Sequence, residues 1–311
     1  MNPLVSHFAN GQAFFTGALL VMFALTGLGF SRRQKPSEES GNDATPREPT
    51  AGFGQVLAQV CFRYRWLLLI AGLLFVAASS TPFPIWILIP LALSTSFAWR
   101  TRDAGQRRNL VLITFLCWTT AIVHELYWQW EPSVDIEAIR GRALVVLADS
   151  VTAGLGEGEA TTWPVLLQEQ WPSEIIDLSH VGETVITAAD RFRKHSVPKD
   201  AAFIIELGGN DLLGSTTVSQ FRKDLDDLLH AIRRDDPERA ILMFELPLPP
   251  FHNAWGDVQR SLALRHGVVL IPKRKLLSVF TADAGTFDSI HLTQDGHNRM
   301  ATIMAKLLQL R

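Results

Sequence analysis

The chain has 311 residues, 47% of them hydrophobic, and a formal net charge of −2. The length allows two domains of ordinary size, and the near-neutral balance excludes a global basic footprint for nucleic acid. The two cysteines, Cys61 and Cys117, both precede residue 130, which excludes a disulfide framework from the C-terminal part.

The apolar excess is concentrated before residue 130. Residues 11–30 ("GQAFFTGALLVMFALTGLGF") carry no charge, and about 20 such residues suffice to cross a bilayer. The preceding "MNPLVSH" has no Lys or Arg, and "SRRQK" follows the apolar run. That is the pattern of an anchor with its N-terminus outside, not of a cleavable signal peptide. Further apolar runs cover 66–80 and 82–99, separated by "STPFP". One kinked span of roughly 34 residues at about 1.5 Å each would overshoot a ~30 Å core, so two short spans are expected. Residues 109–127 form the last span and end at the interfacial pair Tyr127 and Trp128.

The segment 31–65 carries Arg32, Arg33, Lys35, Arg47, Arg63 and Arg65, and 100–108 carries Arg100, Arg102, Arg107 and Arg108. About four spans put both segments on the cytoplasmic side and everything after residue 130 outside; three would separate them. Ser37–Thr50 reads as a disordered part of the cytoplasmic loop. "GQVLAQVCFRYR" (54–65) is either a surface helix or the start of the second span. His124 and Glu125, at the end of the last span, are expected to sit among headgroups.

From about residue 141 short apolar runs alternate with helical periods. "RALVVLA", "EIIDLSHV", "AAFIIELGG", "AILMFELPL" and "GVVLIP" read as strands, with helices between them and a closing helix in "TQDGHNRMATIMAKLLQL". This predicts an α/β fold: a doubly wound, parallel, five-stranded sheet flanked by helices. The organisation expected is an all-α transmembrane region over 1–134 and a separate domain over 135–311. Ser150, Gly182 and Asn210 each fall just past a strand end, where ligands bind in such sheets.

Four pieces therefore converge: Asp149-Ser150, "HVGET" with Gly182, "ELGGND" with Asn210, and "DSIHL" with Asp288 and His291. Acyl transfer needs a serine, a histidine to take its proton, a carboxylate to orient the histidine, and donors for an oxyanion. The blocks resemble, in order and at strand ends, those of the SGNH/GDSL hydrolases, over about residues 142–310. The nearest branch by this likeness is that of periplasmic acyl thioesterases and lysophospholipases. The resemblance implies Ser150 as nucleophile, His291 as general base and then acid, and Asp288 as its orienting partner. It implies an oxyanion hole from the backbone N–H groups of Ser150 and Gly182 and the side-chain amide of Asn210. Three departures stand out: Ala148 replaces the usual glycine, Asp177 a strand-two asparagine, and Leu292 the proline that often follows the histidine. The methyl of Ala148 is tolerable where the backbone φ is negative.

Plainer roles are assigned to other residues. Asp149 and Asp211 are expected to bond loop backbone, and His297 to pack or cap at the last helix. His180 and His252 are read as exposed-loop residues. "GLGEGEA" (154–160) is not a dinucleotide loop, because two glutamates would face the pyrophosphate. No G-x-S-x-G surrounds Ser150, and no His/Cys/Asp group has metal spacing in sequence. The function expected is a membrane-anchored serine esterase or acylhydrolase without cofactor or metal. Its substrate would be a small acyl ester or thioester, or an envelope glycan or lipid, on the extracytoplasmic side. The alternatives are an O-acyltransferase acting on an envelope glycan or lipid-linked sugar, and a non-catalytic binding module.

Overall fold

The computed structural model describes residues 3–30, 53–154 and 160–310. The expectations for Ser37–Thr50 and for most of 154–160 lie outside the described residues. The chain divides into two compact units, Gln12–Tyr127 and Met1–Gly11 together with Trp128–Arg311. A short helix, α1 (Pro3–Ala9), thus belongs to the C-terminal unit.

The first unit is helical: α2 (Gln12–Phe30), α3 (Phe53–Ala78), α4 (Ile85–Arg100) and α5 (Ala104–Gln129), the last two residues of which fall in the other unit. Three of these are long and apolar enough to cross a membrane, and α4 is shorter. Residues 54–65 are continuous with the second apolar run inside α3, because no proline or glycine interrupts the helical period between Gln55 and Gly72. Helix α3 ends at a turn in which the Ser79 hydroxyl donates to the Val76 carbonyl at 2.7 Å and accepts from the Thr81 N–H at 3.3 Å. Helices α2 and α3 approach backbone to backbone. A Cβ on Gly17 would lie 2.6 Å from the Gly72 carbonyl oxygen, and one on Gly72 would lie 2.7 Å from that of Gly17. Glu125, expected among headgroups, packs inside the protein. It is fully buried, and the His124 ring lies beside the rings of Phe83 and Trp86.

The second unit alternates β1 (Leu144–Ala148), α6 (Ser150–Ala153), α7 (Trp163–Gln168), β2 (Ile175–Asp177), α8 (Val185–Lys194), β3 (Ala202–Glu206), α9 (Gly209–Leu213), α10 (Val218–Arg233), β4 (Ile241–Phe244), α11 (Asn253–His266), β5 (Val269–Ile271), α12 (Lys273–Phe280) and α13 (Gln294–Leu307). The sheet order is β2-β1-β3-β4-β5, and every pairing is parallel. Strand side chains alternate between two cores. Leu144, Val146 and Ala148 pack with Trp163 of α7 and Met300 of α13. Val145 and Leu147 pack with residues of α8, α10 and α11. Burial on both faces is why the strands read as continuous apolar runs. The chain leaves β1 toward β2 on one side and returns to β3 on the other, so the topological switch lies between β1 and β3.

Candidate active site

Ser150 and the β3 loop open onto that switch. Asp149 follows β1 in extended conformation and caps α6, its Oδ1 accepting from the Val151 N–H at 2.9 Å. This places Ser150, 7% exposed, as the first residue of the short helix. Ala148 is not among the residues with positive φ, so its methyl is accommodated and packs in the core.

His291 reaches Ser150 from the loop ahead of α13. Its Nε2 lies 3.1 Å from Ser150 Oγ, and its Nδ1 lies 2.6 Å from Asp288 Oδ2. The same carboxylate accepts the His291 N–H at 2.9 Å and the Ile290 N–H at 3.1 Å through Oδ1. These bonds, the backbone N–H of His291 foremost and then its ring, hold the Asp288 carboxyl down to about 2. Asp288 therefore stays ionised and acceptor-only, which makes Nδ1 the protonated nitrogen and leaves Nε2 with a lone pair toward the serine. The loop is tied across its neck by the Phe287 N–H to the His291 carbonyl at 2.9 Å and by a bridge between Thr286 and Leu292. Leu292, in the place of a proline, is buried in the core.

The Gly182 loop is anchored from β3. Asn210 Nδ2 donates to the Glu183 carbonyl at 2.9 Å, and Asp211 Oδ2 accepts the Val185 N–H at 3.0 Å. Gly182 has φ +74, and a Cβ added there would meet no atom within 4 Å, so the turn and not crowding demands glycine. Among the described residues neither the Ser150 N–H nor the Gly182 N–H has a hydrogen-bond partner within the protein. The amide of Asn210 is partly committed. One hydrogen serves Glu183, and the other has only Asp149 Oδ2, at 3.5 Å. Asp177 closes a turn, its Oδ1 accepting the Ser179 N–H at 2.9 Å.

His297 lies fully buried in the first turn of α13 and accepts the Trp163 N–H on Nδ1 at 3.3 Å; burial pushes its pKa down. His180 is largely exposed, 3.8 Å from Glu183. One described group offers three metal-ligand atoms within 4.8 Å of one another: Asp226 and His230 of α10 and His266 of α11. Its carboxylate is already engaged, by His266 Nε2 at 2.6 Å and Arg265 Nη1 at 3.2 Å. A resident guanidinium disfavours a second cation, so the group ties α10 to α11.

Sequence patterning did not single out Glu206. It ends β3, is 2% exposed, and its Oε2 accepts from the Thr152 hydroxyl at 3.2 Å beside the Asp149 carboxyl. Its one signal was an acid closing an otherwise apolar strand, directly before "LGGND".

A serine, an imidazole and a carboxylate joined in series at the switch of a parallel sheet define the class of serine hydrolases built on doubly wound folds. Residues 149–299 match the GDSL-like Lipase/Acylhydrolase family. The chain thus carries a hydrolase domain of the GDSL/SGNH family. It is 27% identical over 184 residues to "Thioesterase 1/protease 1/lysophospholipase L1" of Escherichia coli (strain K12), covering 57% of this chain and 88% of that one. It is 27% identical over 140 residues to "Esterase TesA" of Pseudomonas aeruginosa, covering 42% and 70%. Among solved structures, a TesA crystal structure superposes with a TM-score of 0.46 at 24% identity, covering 54% of this chain and 98% of that chain. The psychrotrophic esterase EstA from Pseudoalteromonas sp. superposes with a TM-score of 0.46 at 20% identity, covering 54% and 97%.

Proposed function

We propose that the chain is a membrane-anchored serine esterase or acylhydrolase that cleaves a carboxylic ester or thioester through an acyl-enzyme on Ser150. The observation that carries this reading is the unbroken series from Ser150 Oγ through both nitrogens of His291 to Asp288, at 3.1 and 2.6 Å. In the first half-reaction Ser150 Oγ attacks the acyl carbon and His291 Nε2 takes its proton. Asp288 keeps Nδ1–H in place and stabilises the imidazolium. The oxyanion forms between the N–H groups of Ser150 and Gly182 and the amide hydrogen of Asn210 that only Asp149 Oδ2 holds, at 3.5 Å. His291 returns the proton to the departing alcohol or thiol. Water then attacks the acyl-enzyme by the same path in reverse, with His291 again as base.

The names of the relatives, a thioesterase/lysophospholipase and an esterase, favour an acyl thioester or lysophospholipid as substrate. The apolar helices α2, α3 and α5, with α4, hold the enzyme in the cytoplasmic membrane, and the Lys/Arg-rich segments favour the outer side for its hydrolase domain. A fluorophosphonate probe should label Ser150 alone among the serines, and His291→Ala should abolish labelling, because only a base-paired serine reacts readily. Mass spectrometry that placed the label elsewhere, or undiminished labelling in His291→Ala, would sink the assignment.

A further inference from the structure

We propose that Glu206 is a positioning residue of this site: held as a neutral carboxylic acid, it donates its proton to the Asp149 carboxylate and so fixes the turn that presents Ser150. The proposal rests on the reading of Ser150 as nucleophile. Its basis is the direction of each hydrogen bond beneath the serine. The Trp163 indole nitrogen, a donor only, gives its hydrogen to Thr152 Oγ1 at 3.0 Å. The Thr152 hydroxyl in turn donates to Glu206 Oε2 at 3.2 Å. Asp149 receives the Val151 N–H at 2.9 Å and, more weakly, the Asn210 amide at 3.5 Å.

The two carboxyls are buried neighbours, each within reach of the other's charge, and two acids so placed avoid a buried like-charge pair only if one of them keeps its proton. Asp149 has the backbone and amide donors that suit a carboxylate. Glu206 has one neutral hydroxyl, so the proton belongs on Glu206. The backbone agrees: Ala148 and Glu206 are register partners, and the Asp149 N–H donates to the Glu206 carbonyl at 3.2 Å.

Both carboxyls are buried and, among the described residues, neither forms an ion pair with a lysine or arginine. The charged groups facing the pair are His291, ahead of α13, and Asp211, of α9. An imidazolium at His291 draws the shared proton off, and Asp211 retains it. Burial and the mutual charge push Glu206 well above the ordinary carboxylate range, and burial pushes Asp149 up to about 6. An unfolded chain has released this proton at neutral pH and the folded one has not. Stability therefore falls as pH rises above the ordinary carboxylate range, until Glu206 lets the proton go.

The test uses the full chain in detergent. Glutamine keeps a donor toward Asp149 and an acceptor toward Thr152, so Glu206→Gln should hold kcat within about threefold of the parent, whereas Glu206→Ala should lower kcat by about tenfold or more with KM little changed. Melting temperature should decline between neutral and alkaline pH in the parent and less steeply in Glu206→Gln. A protonated-carboxyl infrared band, shifted in heavy water, should be present in the parent and missing from Glu206→Gln. Equal loss of kcat in both variants, an unchanged pH slope, or no such band overturns the proposal. If Glu206→Ala fails to fold, the glutamine variant's kcat, slope and spectrum decide. The band and the slope do not depend on turnover, so a failure of the Ser150 reading, seen as an unlabelled Ser150, is distinguishable from a failure of the proton assignment.

Discussion

Asn210 has two amide hydrogens, and the structure employs them unequally. One ties the β3 loop to the Glu183 carbonyl at 2.9 Å, and the other has a 3.5 Å partner in Asp149 that an oxyanion can outcompete. Truncation should therefore have two separable effects. Asn210→Ala should lower kcat by ~10²–10³ through the lost oxyanion donor. It should also lower stability by about 1 kcal/mol through the lost loop tie. Steady-state kinetics beside a thermal melt measures both, and near-normal kcat in a destabilised protein would leave only the loop tie. Residue type and strand-end position made Asn210 legible as a donor. Its bond to Glu183 was not, because that contact joins loops 27 residues apart in sequence. Glu206 was overlooked for a related reason: a buried acid in a strand is informative only once the neighbours that share its proton are known.

At the scale of elements, the α2–α3 pair shows what hydropathy leaves out. Windows of apolar residues mark where a helix can cross a bilayer, but lipid is as apolar as leucine, so they carry no information on which faces meet. Gly17 and Gly72 let the two backbones touch, and any side chain at either would collide with the other helix's main chain. Gly72→Leu should therefore part α2 from α3 and lower the melting temperature of the full chain in detergent, while Gly54→Leu, whose Cβ would meet nothing within 4 Å, should not. Equal melts for the two variants would remove the contact from the stability of this unit. The start of α3 was open for another physical reason. A surface helix and a span share the same 3.6-residue period, so periodicity alone could not separate residues 54–65 from the run that follows.

For the whole molecule, the side on which the hydrolase domain resides turns on α4. Its 16 residues extend only ~24 Å against a hydrocarbon core of ~30 Å. If α4 crosses, the basic segments 31–65 and 100–108 share the cytoplasmic side; if it does not, they are separated. Ten Lys and Arg side chains in those two segments weigh for crossing. The hydrogen bond from Trp118 Nε1 of α5 to Thr95 Oγ1 of α4, at 3.2 Å, keeps α4 alongside a full-length apolar helix. A phosphatase fused after Arg311 should be active in cells, and a cytoplasm-only reporter at the same place silent. The opposite pattern would put the domain inside and α4 out of the bilayer.

The parallel α/β class, the apolar helices, the three blocks past strand ends and the one ahead of the closing helix were determined by the sequence alone. Each rests on local periodicity or residue type, and these survive without knowledge of partners. The tertiary structure decided the strand order, the burial of Glu125, the glycine contact between α2 and α3, and the carboxyl pair beneath Ser150. All four depend on which distant segments become neighbours. A charge or a proton is stabilised by what surrounds it in space, and in this fold those surroundings come from strands and loops tens of residues apart.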